Sequence, residues 1–125
     1  MEPEFATWTR PFLHELLEEI PKDLESLIDV GCGRGIIGAM TRIYRNPKRL
    51  VGVDIFQDYI DFCKKYSIYD ELHRLDLRQT PLPFKNREFS VATCIETIEH
   101  LPKKRGEKLL EELHRIADTV IVSTP

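Results

Sequence analysis

The chain has 125 residues, a length that suits one domain with one buried core. It is 42% hydrophobic and 31% charged, as globular proteins are, and its net charge of -3 gives no overall attraction to nucleic acid or to anionic membranes. No apolar run approaches the ~18 residues that a membrane span needs, and residues 1–4 are too acidic and polar for a signal peptide. The cysteines are odd in number and unclustered, which favours reduced thiols and predicts a cytoplasmic protein.

An arm and a helix are predicted for residues 1–26. The arm, residues 1–10, either packs against the domain or forms a lid over a ligand site, and its side chains include Phe5, Trp8 and Arg10. A helix follows, because Pro11 suits a first turn and leucine and isoleucine then recur at helical spacing up to Pro21.

A strand, a glycine turn and a helix come next. The apolar run Leu27–Val30 suits a buried parallel strand, and glycines then occupy the alternate positions 31, 33 and 35. Apolar residues from Ile36 onward recur at helical spacing. Such a turn places unpaired N–H groups of the helix beside an open loop, where a polar or anionic ligand can bind.

A second strand, Leu50–Asp54, ends in an acid about twenty residues past the glycines. At that spacing Asp54 can accept hydrogen bonds from both vicinal hydroxyls of a ribose. The loop does not match the dinucleotide fingerprint, because Ile36 occupies the place of the third glycine. An NAD-dependent oxidoreductase is therefore a minor alternative.

The remaining elements continue the alternation of strands and helices. Asp58 is predicted to cap a short helix, and Leu72–Leu77 and Phe89–Ile95 are predicted as the third and fourth strands. A helix from Pro102 to about Asp118 and a fifth strand, Thr119–Ser123, complete the chain. This order predicts a doubly wound α/β fold with a mainly parallel sheet and three layers, and ligands of such folds bind at the carboxyl ends of the strands.

The pattern apolar-apolar-Asp29-x-Gly31-x-Gly33-x-Gly35 resembles motif I of the class I S-adenosylmethionine (SAM) dependent methyltransferases. The resemblance runs from about residue 27 to residue 125 and includes Glu99-His100-Leu101 after the fourth strand. It implies a single SAM-binding domain over residues 1–125. The cofactor-binding residues that it implies are Asp29, Gly31, Cys32, Gly33, Gly35, Asp54, Ile55, Asp76, Leu77 and Ile95.

The individual roles also follow from the resemblance. Asp54 would hold the ribose, Asp76 the exocyclic amine of adenine, and Leu77 would pack on the adenine ring. The activity implied is transfer of the sulfonium methyl of SAM to a nucleophile, with a small molecule as the expected acceptor. If a base is needed, His100 is the candidate, and a structural or surface role is its alternative.

The sequence departs from the family after the fifth strand, because the usual sixth and seventh strands are not present. A non-catalytic methyltransferase-like subunit that needs a partner is therefore a second hypothesis. Residues 119–122 should form an edge strand, which predicts a homodimer or a partner that covers this edge.

Glu96, Glu99 and His100 are spaced i, i+3, i+4, and in a helical turn they would share one face. The pattern is similar to the divalent-metal motif of the small-RNA 2′-O-methyltransferases, although that family uses a further downstream histidine and this chain ends before any such position. The favoured interpretation is that Glu96 and His100 line the pocket mouth without a metal, while Glu99 helps to start the next helix. Nucleic acid is accordingly not the expected partner.

Overall fold

The computed structural model describes residues 13–125, and the predicted arm with Phe5, Trp8, Arg10 and Pro11 lies outside this range. Within it, helix α1 covers residues 13–19, just before Pro21. The other helices are α2 (Ile36–Tyr44), α3 (Gln57–Lys65) and α4 (Lys103–Ile116), and a 3-10 turn covers Ile98–His100. The strands are β1 (Ser26–Val30), β2 (Arg49–Asp54), β3 (Glu71–Arg74), β4 (Phe89–Ile95) and β5 (Ala117–Ser123).

The five strands form one parallel sheet in the order β3-β2-β1-β4-β5. The chain winds outward from β1 to β3 on one side and then returns to place β4 on the other side of β1. The predicted doubly wound α/β fold is confirmed. Its topological switch point lies between β1 and β4, where ligands of such sheets bind.

Apolar layers cover both faces of the sheet. On one face, α4 buries Leu109, Leu113 and Ile116 against the strands. On the other, α1, α2 and α3 contribute Leu16, Ile37, Met40 and Cys63, and Ile20, directly after α1, joins them. The result is the predicted three-layer arrangement. No helix among residues 13–125 is long and apolar enough to cross a membrane.

Several predicted boundaries differ from the structure. The third strand is four residues long and ends at Arg74, because β2 ends opposite it at Asp54, where a last backbone hydrogen bond runs from the Leu75 N–H to the Asp54 carbonyl oxygen. Asp76 and Leu77 therefore lie in the turn after β3. Asp58 lies in the first turn of α3 and not at its cap, which is Phe56. Helix α4 ends at Ile116, since the chain enters β5 directly at Ala117.

Candidate functional site

The glycine loop after β1 is built on left-handed backbone. Gly31, Gly33 and Gly35 have φ values of 81°, 54° and 85°. The N–H groups of Gly31 and Cys32 both donate to the carbonyl oxygen of Val53, at 2.8 and 2.9 Å. A Cβ at Gly31 would lie 2.3 Å from the Thr97 hydroxyl oxygen. The loop thus needs glycine both for its backbone conformation and for its close approach to the end of β4.

Asp54 is held at the end of β2 by two backbone donors. Its Oδ2 accepts from the Gly33 N–H at 2.9 Å, and its Oδ1 accepts from the Phe56 N–H at 3.0 Å. The residue is only 7% exposed. Each carboxylate oxygen can accept a further hydrogen bond, so a fixed pair of acceptors faces the space beside the glycine loop.

Asp29 is buried below the same loop. Its Oδ2 accepts from the Tyr69 hydroxyl at 2.6 Å, and its Oδ1 accepts from the Thr93 hydroxyl at 2.9 Å. Burial raises the pKa of Asp29 to about 6, although both hydrogen bonds oppose the shift. A carboxyl group that titrates near neutral pH therefore lies in the floor of the site.

Cys32 is also buried below the loop, against a second thiol. Its side chain contacts Cys63 of α3, and the Cys63 thiol donates to the Gly33 carbonyl oxygen at 3.3 Å. The contact with Cys63 and burial raise the pKa of Cys32 far above its ordinary value. Cys32 is therefore a packing group and not a poised nucleophile.

The turn after β3 brings a carboxylate and a guanidinium together. Asp76 Oδ1 accepts from the Arg78 backbone N–H and from Arg78 Nε, both at 3.0 Å, and Oδ2 accepts from Arg78 Nη2 at 2.9 Å. These bonds lower the pKa of Asp76. Sequence reasoning named Asp76 but missed Arg78, which is its partner and lies on the same wall.

The chain bends sharply where β4 ends. Glu96 has a φ of 54°, its N–H donates to the Ser123 carbonyl oxygen at 2.9 Å, and its Oε2 accepts from the Ser123 hydroxyl at 3.3 Å. Because of this left-handed residue, the 3-10 turn begins only at Ile98, and the proposed i, i+3, i+4 face does not form as one helical turn. Glu99 lies in the 3-10 turn, before the first residue of α4.

His100 borders the site with an exposed imidazole. Its side chain is 77% exposed, and its Nε2 lies 3.6 Å from Glu99 Oε2. Across residues 13–125, no three histidine, cysteine or acidic side chains form a group that could hold a metal ion.

One cavity of about 1050 Å³ collects these groups at the carboxyl ends of the strands. It is at the large end of the range of roughly 300–1000 Å³ for small-molecule sites. The predicted residues in its wall are Asp29, Gly31, Cys32, Gly33, Asp54, Ile55, Asp76, Leu77, Ile95, Glu96, Glu99 and His100. Gly35 is not in the wall, because it faces Ile68 and Cys63 and forms the cap of α2.

Several residues of the wall were not predicted. Besides Arg78, they are Ile36, Ile37, Phe56, Tyr59, Thr97, Leu101 and Pro125. Phe56 is 63% exposed, and the signal available in the sequence was an aromatic residue two positions after a strand-end acid. Thr97 gave no such signal, because its role depends on contact with Gly31 across the switch point.

Comparison with known proteins identifies the family to which the chain belongs. The sequence model of a family described as a methyltransferase domain matches residues 27–119. The chain belongs to the class I SAM-dependent methyltransferases. The resemblance seen in motif I is thereby confirmed, and SAM is the cofactor of this methyltransferase family.

Curated relatives match the methyltransferase domain at moderate identity. The mitochondrial ubiquinone biosynthesis O-methyltransferase of Saccharomyces cerevisiae is 28% identical over 94 residues, covering 70% of this chain and 30% of that protein. A small RNA 2′-O-methyltransferase of Xenopus tropicalis is 31% identical over 116 residues, covering 81% of this chain and 31% of that protein. The chain thus spans about a third of the length of these relatives.

Solved structures share the fold. The methyltransferase domain of bacterial CtHen1 is 26% identical, with a TM-score of 0.75 over 94% of this chain and 66% of that chain. The SAM-bound structure of CalS10, an amino pentose methyltransferase from Micromonospora echinaspora, has a TM-score of 0.70 and 18% identity, covering 94% of this chain and 52% of that chain. At that identity the second match shows the fold alone.

Proposed function

We propose that residues 1–125 form one SAM-binding domain that transfers a methyl group to a nucleophilic acceptor. The observation that carries this proposal is the Asp54 carboxylate, which the glycine loop and the Phe56 N–H fix at the cavity wall. A rigid pair of acceptors beside an open loop suits the two vicinal hydroxyls of a ribose. The cavity is also large enough for a nucleoside carrying an amino acid.

The chemistry of the wall fits the other parts of SAM. Ile55 and Leu77 offer apolar surface for the adenine ring, and Asp76 offers a carboxylate for its exocyclic amine. The glycine loop and Ile95 bound the cavity on the side of β1 and β4, and Asp29 adds negative charge below it. Gly35 contributes indirectly, because it lets α2 start directly after the loop.

Bound SAM supplies a methyl group on a positively charged sulfur. In-line transfer of that methyl group to an acceptor oxygen would break the carbon–sulfur bond and leave the sulfur neutral, and the acceptor proton would pass to a base. The domain contributes mainly by positioning the reactants. His100 is our candidate base, since its exposed imidazole borders the cavity next to the end of β4.

The names of the relatives favour oxygen as the accepting atom. The ubiquinone biosynthesis enzymes and the small RNA enzyme are both O-methyltransferases by name. We therefore propose O-methylation by this domain. The competing hypothesis is a methyltransferase-like subunit that binds SAM and needs a partner for activity.

The first prediction concerns Asp54. Asp54→Ala removes hydrogen bonds to a charged acceptor, each worth ~1.5–3 kcal/mol, and should weaken SAM binding at least tenfold in titration calorimetry. Asp58→Ala is the matched control, because Asp58 is an exposed acid on the neighbouring helix outside the cavity. Unchanged SAM affinity in a folded Asp54→Ala protein would refute the assignment.

Two further measurements distinguish a SAM-dependent methyltransferase from an NAD-dependent oxidoreductase and from a partner-dependent subunit. NAD in the same calorimeter should give no heat, and binding of NAD but not SAM would favour an oxidoreductase. Transfer of radiolabelled methyl from SAM to an acceptor library, with and without cell extract as a source of partners, tests catalysis directly. Activity that needs the extract would favour the partner-dependent subunit.

A further inference from the structure

The first turn of α4 carries an unusual concentration of positive charge. Residues 102–108 hold Lys103, Lys104, Arg105 and Lys108 but only one acid, Glu107, in a chain whose net charge is -3. Cations are disfavoured at the N-terminal end of a helix, where the macrodipole is positive. This turn has neither an acidic residue nor a side-chain cap to offset them. Residues that break such a local rule without compensation often serve a function.

Packing fixes this turn against the cavity. Gly106 is its buried residue, and a Cβ there would lie 3.4 Å from the side chain of Ile98 in the 3-10 turn. The Gly106 N–H also donates to the Pro102 carbonyl oxygen at 2.9 Å. His100 and Leu101, which join the two turns, lie in the cavity wall. The basic residues therefore follow the cavity wall closely in the chain, since Lys103 lies two positions after Leu101.

Arg78, in the turn after β3, joins three of these cations: Lys103, Lys104 and Arg105. Arg105 Nη1 donates to the Arg78 carbonyl oxygen at 3.1 Å, and Arg78 lies in the cavity wall. We call Arg78, Lys103, Lys104 and Arg105 the cationic rim. All four are exposed.

The charge of the rim is only partly neutralised. Asp76 is paired with Arg78, and Glu99 lies beside His100. Over residues 13–125, Lys103, Lys104 and Arg105 form no ion pair. These ammonium and guanidinium groups remain available to an anionic ligand at the mouth of the site.

We propose that the cationic rim binds the phosphate backbone of a single-stranded nucleic acid and so presents one of its nucleotides as the methyl acceptor. This proposal rests on the proposed function, which supplies the cofactor site. It departs from the expectation based on net charge, because the relevant charge is local.

The arrangement of the cations favours several phosphates over one. Consecutive residues of a helix project about 100° apart, so Lys103, Lys104 and Arg105 do not converge on a single phosphate. They can each meet a different phosphate of an extended strand. A single strand can also insert one nucleotide into the cavity, whereas a duplex must first unpair and flip it out.

The test measures binding of a fluorescein-labelled 12-nucleotide single-stranded RNA to the full chain by fluorescence anisotropy at 50–200 mM KCl. Lys103→Ala/Lys104→Ala should weaken binding at least fivefold at 100 mM and reduce the salt slope by about 1.4, at roughly 0.7 for each lost contact. The matched control is Lys64→Ala/Lys65→Ala, because both are exposed lysines on α3 outside the cavity wall. This control should bind within twofold of the original chain.

The other arms have defined outcomes. No binding at 50 mM KCl, or equal losses in the two variants, would overturn the proposal. Three competitors test the identity of the ligand, and binding as tight as that of the single-stranded RNA by any of them would contradict the inference. Such binding by uridine monophosphate would indicate a small phosphorylated acceptor, and by polyglutamate an acidic protein. Such binding by duplex RNA would show that a single strand is not required. Single-stranded DNA of the same length identifies which nucleic acid is preferred.

Calorimetry with SAM on the same preparations tests the proposed SAM-binding function separately from RNA binding by the cationic rim. SAM binding without RNA binding would refute the cationic rim alone. Failure of SAM binding would refute the proposed function, whatever the RNA result.

Discussion

Two aspartates on neighbouring strands, Asp54 and Asp29, accept hydrogen bonds from different kinds of donor. Asp54 accepts from backbone N–H groups whose positions the loop fixes, whereas Asp29 accepts from the hydroxyls of Tyr69 and Thr93 in the buried layer. Burial of Asp29 without a cationic partner is the main reason that its pKa rises to about 6. A carboxyl group buried without a cationic partner lowers the free energy of unfolding when it is ionised.

The resulting pH dependence has a defined sign. Burial raises the pKa of Asp29 from 3.8 to about 6, so between these values the folded chain keeps a proton that the unfolded chain has released. The contribution of Asp29 to the free energy of unfolding therefore falls by ~3 kcal/mol as the pH rises from about 4 to 6, and it is constant above that window.

Asp29→Asn isolates this contribution, because asparagine does not titrate. In urea unfolding at pH 4, 5, 6 and 7, the stability of the original chain relative to the variant should decline across the window. Asp58→Asn, an exposed site, should give a difference that stays nearly constant. A pH-independent difference for Asp29→Asn would show that its carboxyl group has an ordinary pKa in the folded chain.

Single residues were predictable where spacing alone constrains them. Asp54 follows the glycine loop at a characteristic distance, and the structure places it on the cavity wall. Thr97 was missed, since its contact with Gly31 depends on how turns from different parts of the chain meet. Arg78 was missed although it lies only two residues after Asp76. Gly35 was assigned to the ligand, although the space it leaves open is needed by Ile68 and Cys63.

At the scale of elements, two helical glycines have opposite packing. A Cβ on Gly38 of α2 would lie 2.3–2.5 Å from ring atoms of Tyr69, whereas a Cβ on Gly106 of α4 would make an ordinary contact of 3.4 Å with Ile98. Alanine is favoured over glycine in a helix interior by roughly 1 kcal/mol. Because of the contact with Tyr69, alanine should be less stable than glycine at position 38 but not at position 106.

The prediction is a pair of opposite shifts in thermal unfolding. Gly106→Ala should raise the free energy of unfolding by up to about 1 kcal/mol, through helix propensity. Gly38→Ala should lower the free energy of unfolding by about 1–3 kcal/mol, because the added methyl group displaces the Tyr69 side chain, whose hydroxyl donates to Asp29. Stabilisation by both substitutions would mean that Tyr69 moves aside without cost.

The lengths of elements followed the sequence pattern less closely than their types. Strand β4 was predicted at Phe89–Ile95 and observed there, because its apolar run is bounded by polar residues. Strand β3 was predicted too long, since its length depends on where β2 ends. The loop before β4 is held by Arg115, which donates to the carbonyl oxygens of Leu82 and Phe84, a contact across about thirty residues that periodicity does not reveal.

At the scale of the whole molecule, alternation of strands and helices was sufficient to predict the sheet and the edge where the site lies. The switch point between β1 and β4 brings the glycine loop, Asp54 and the end of β4 to one cavity. The acceptor could not be predicted this way, because the order of elements does not reveal the surface charge around the cavity.

The edge of the sheet carries the last prediction. Within residues 13–125, β5 pairs with β4 alone, and Thr119 on it is exposed. An edge strand presents unpaired N–H and C=O groups that can pair with another chain. We expect either a homodimer through β5 or a partner that covers it.

Light scattering over a wide concentration range tests the homodimer first. The expected mass is twice 14.6 kDa. Thr119→Lys should return the mass to that of one chain, because a lysine on an edge opposes strand pairing. Gln79→Lys adds the same charge at an exposed position of the turn after β3 and should leave the dimer intact. A single-chain mass at every concentration would exclude the homodimer and direct the search to a different partner, whose binding Thr119→Lys should then abolish.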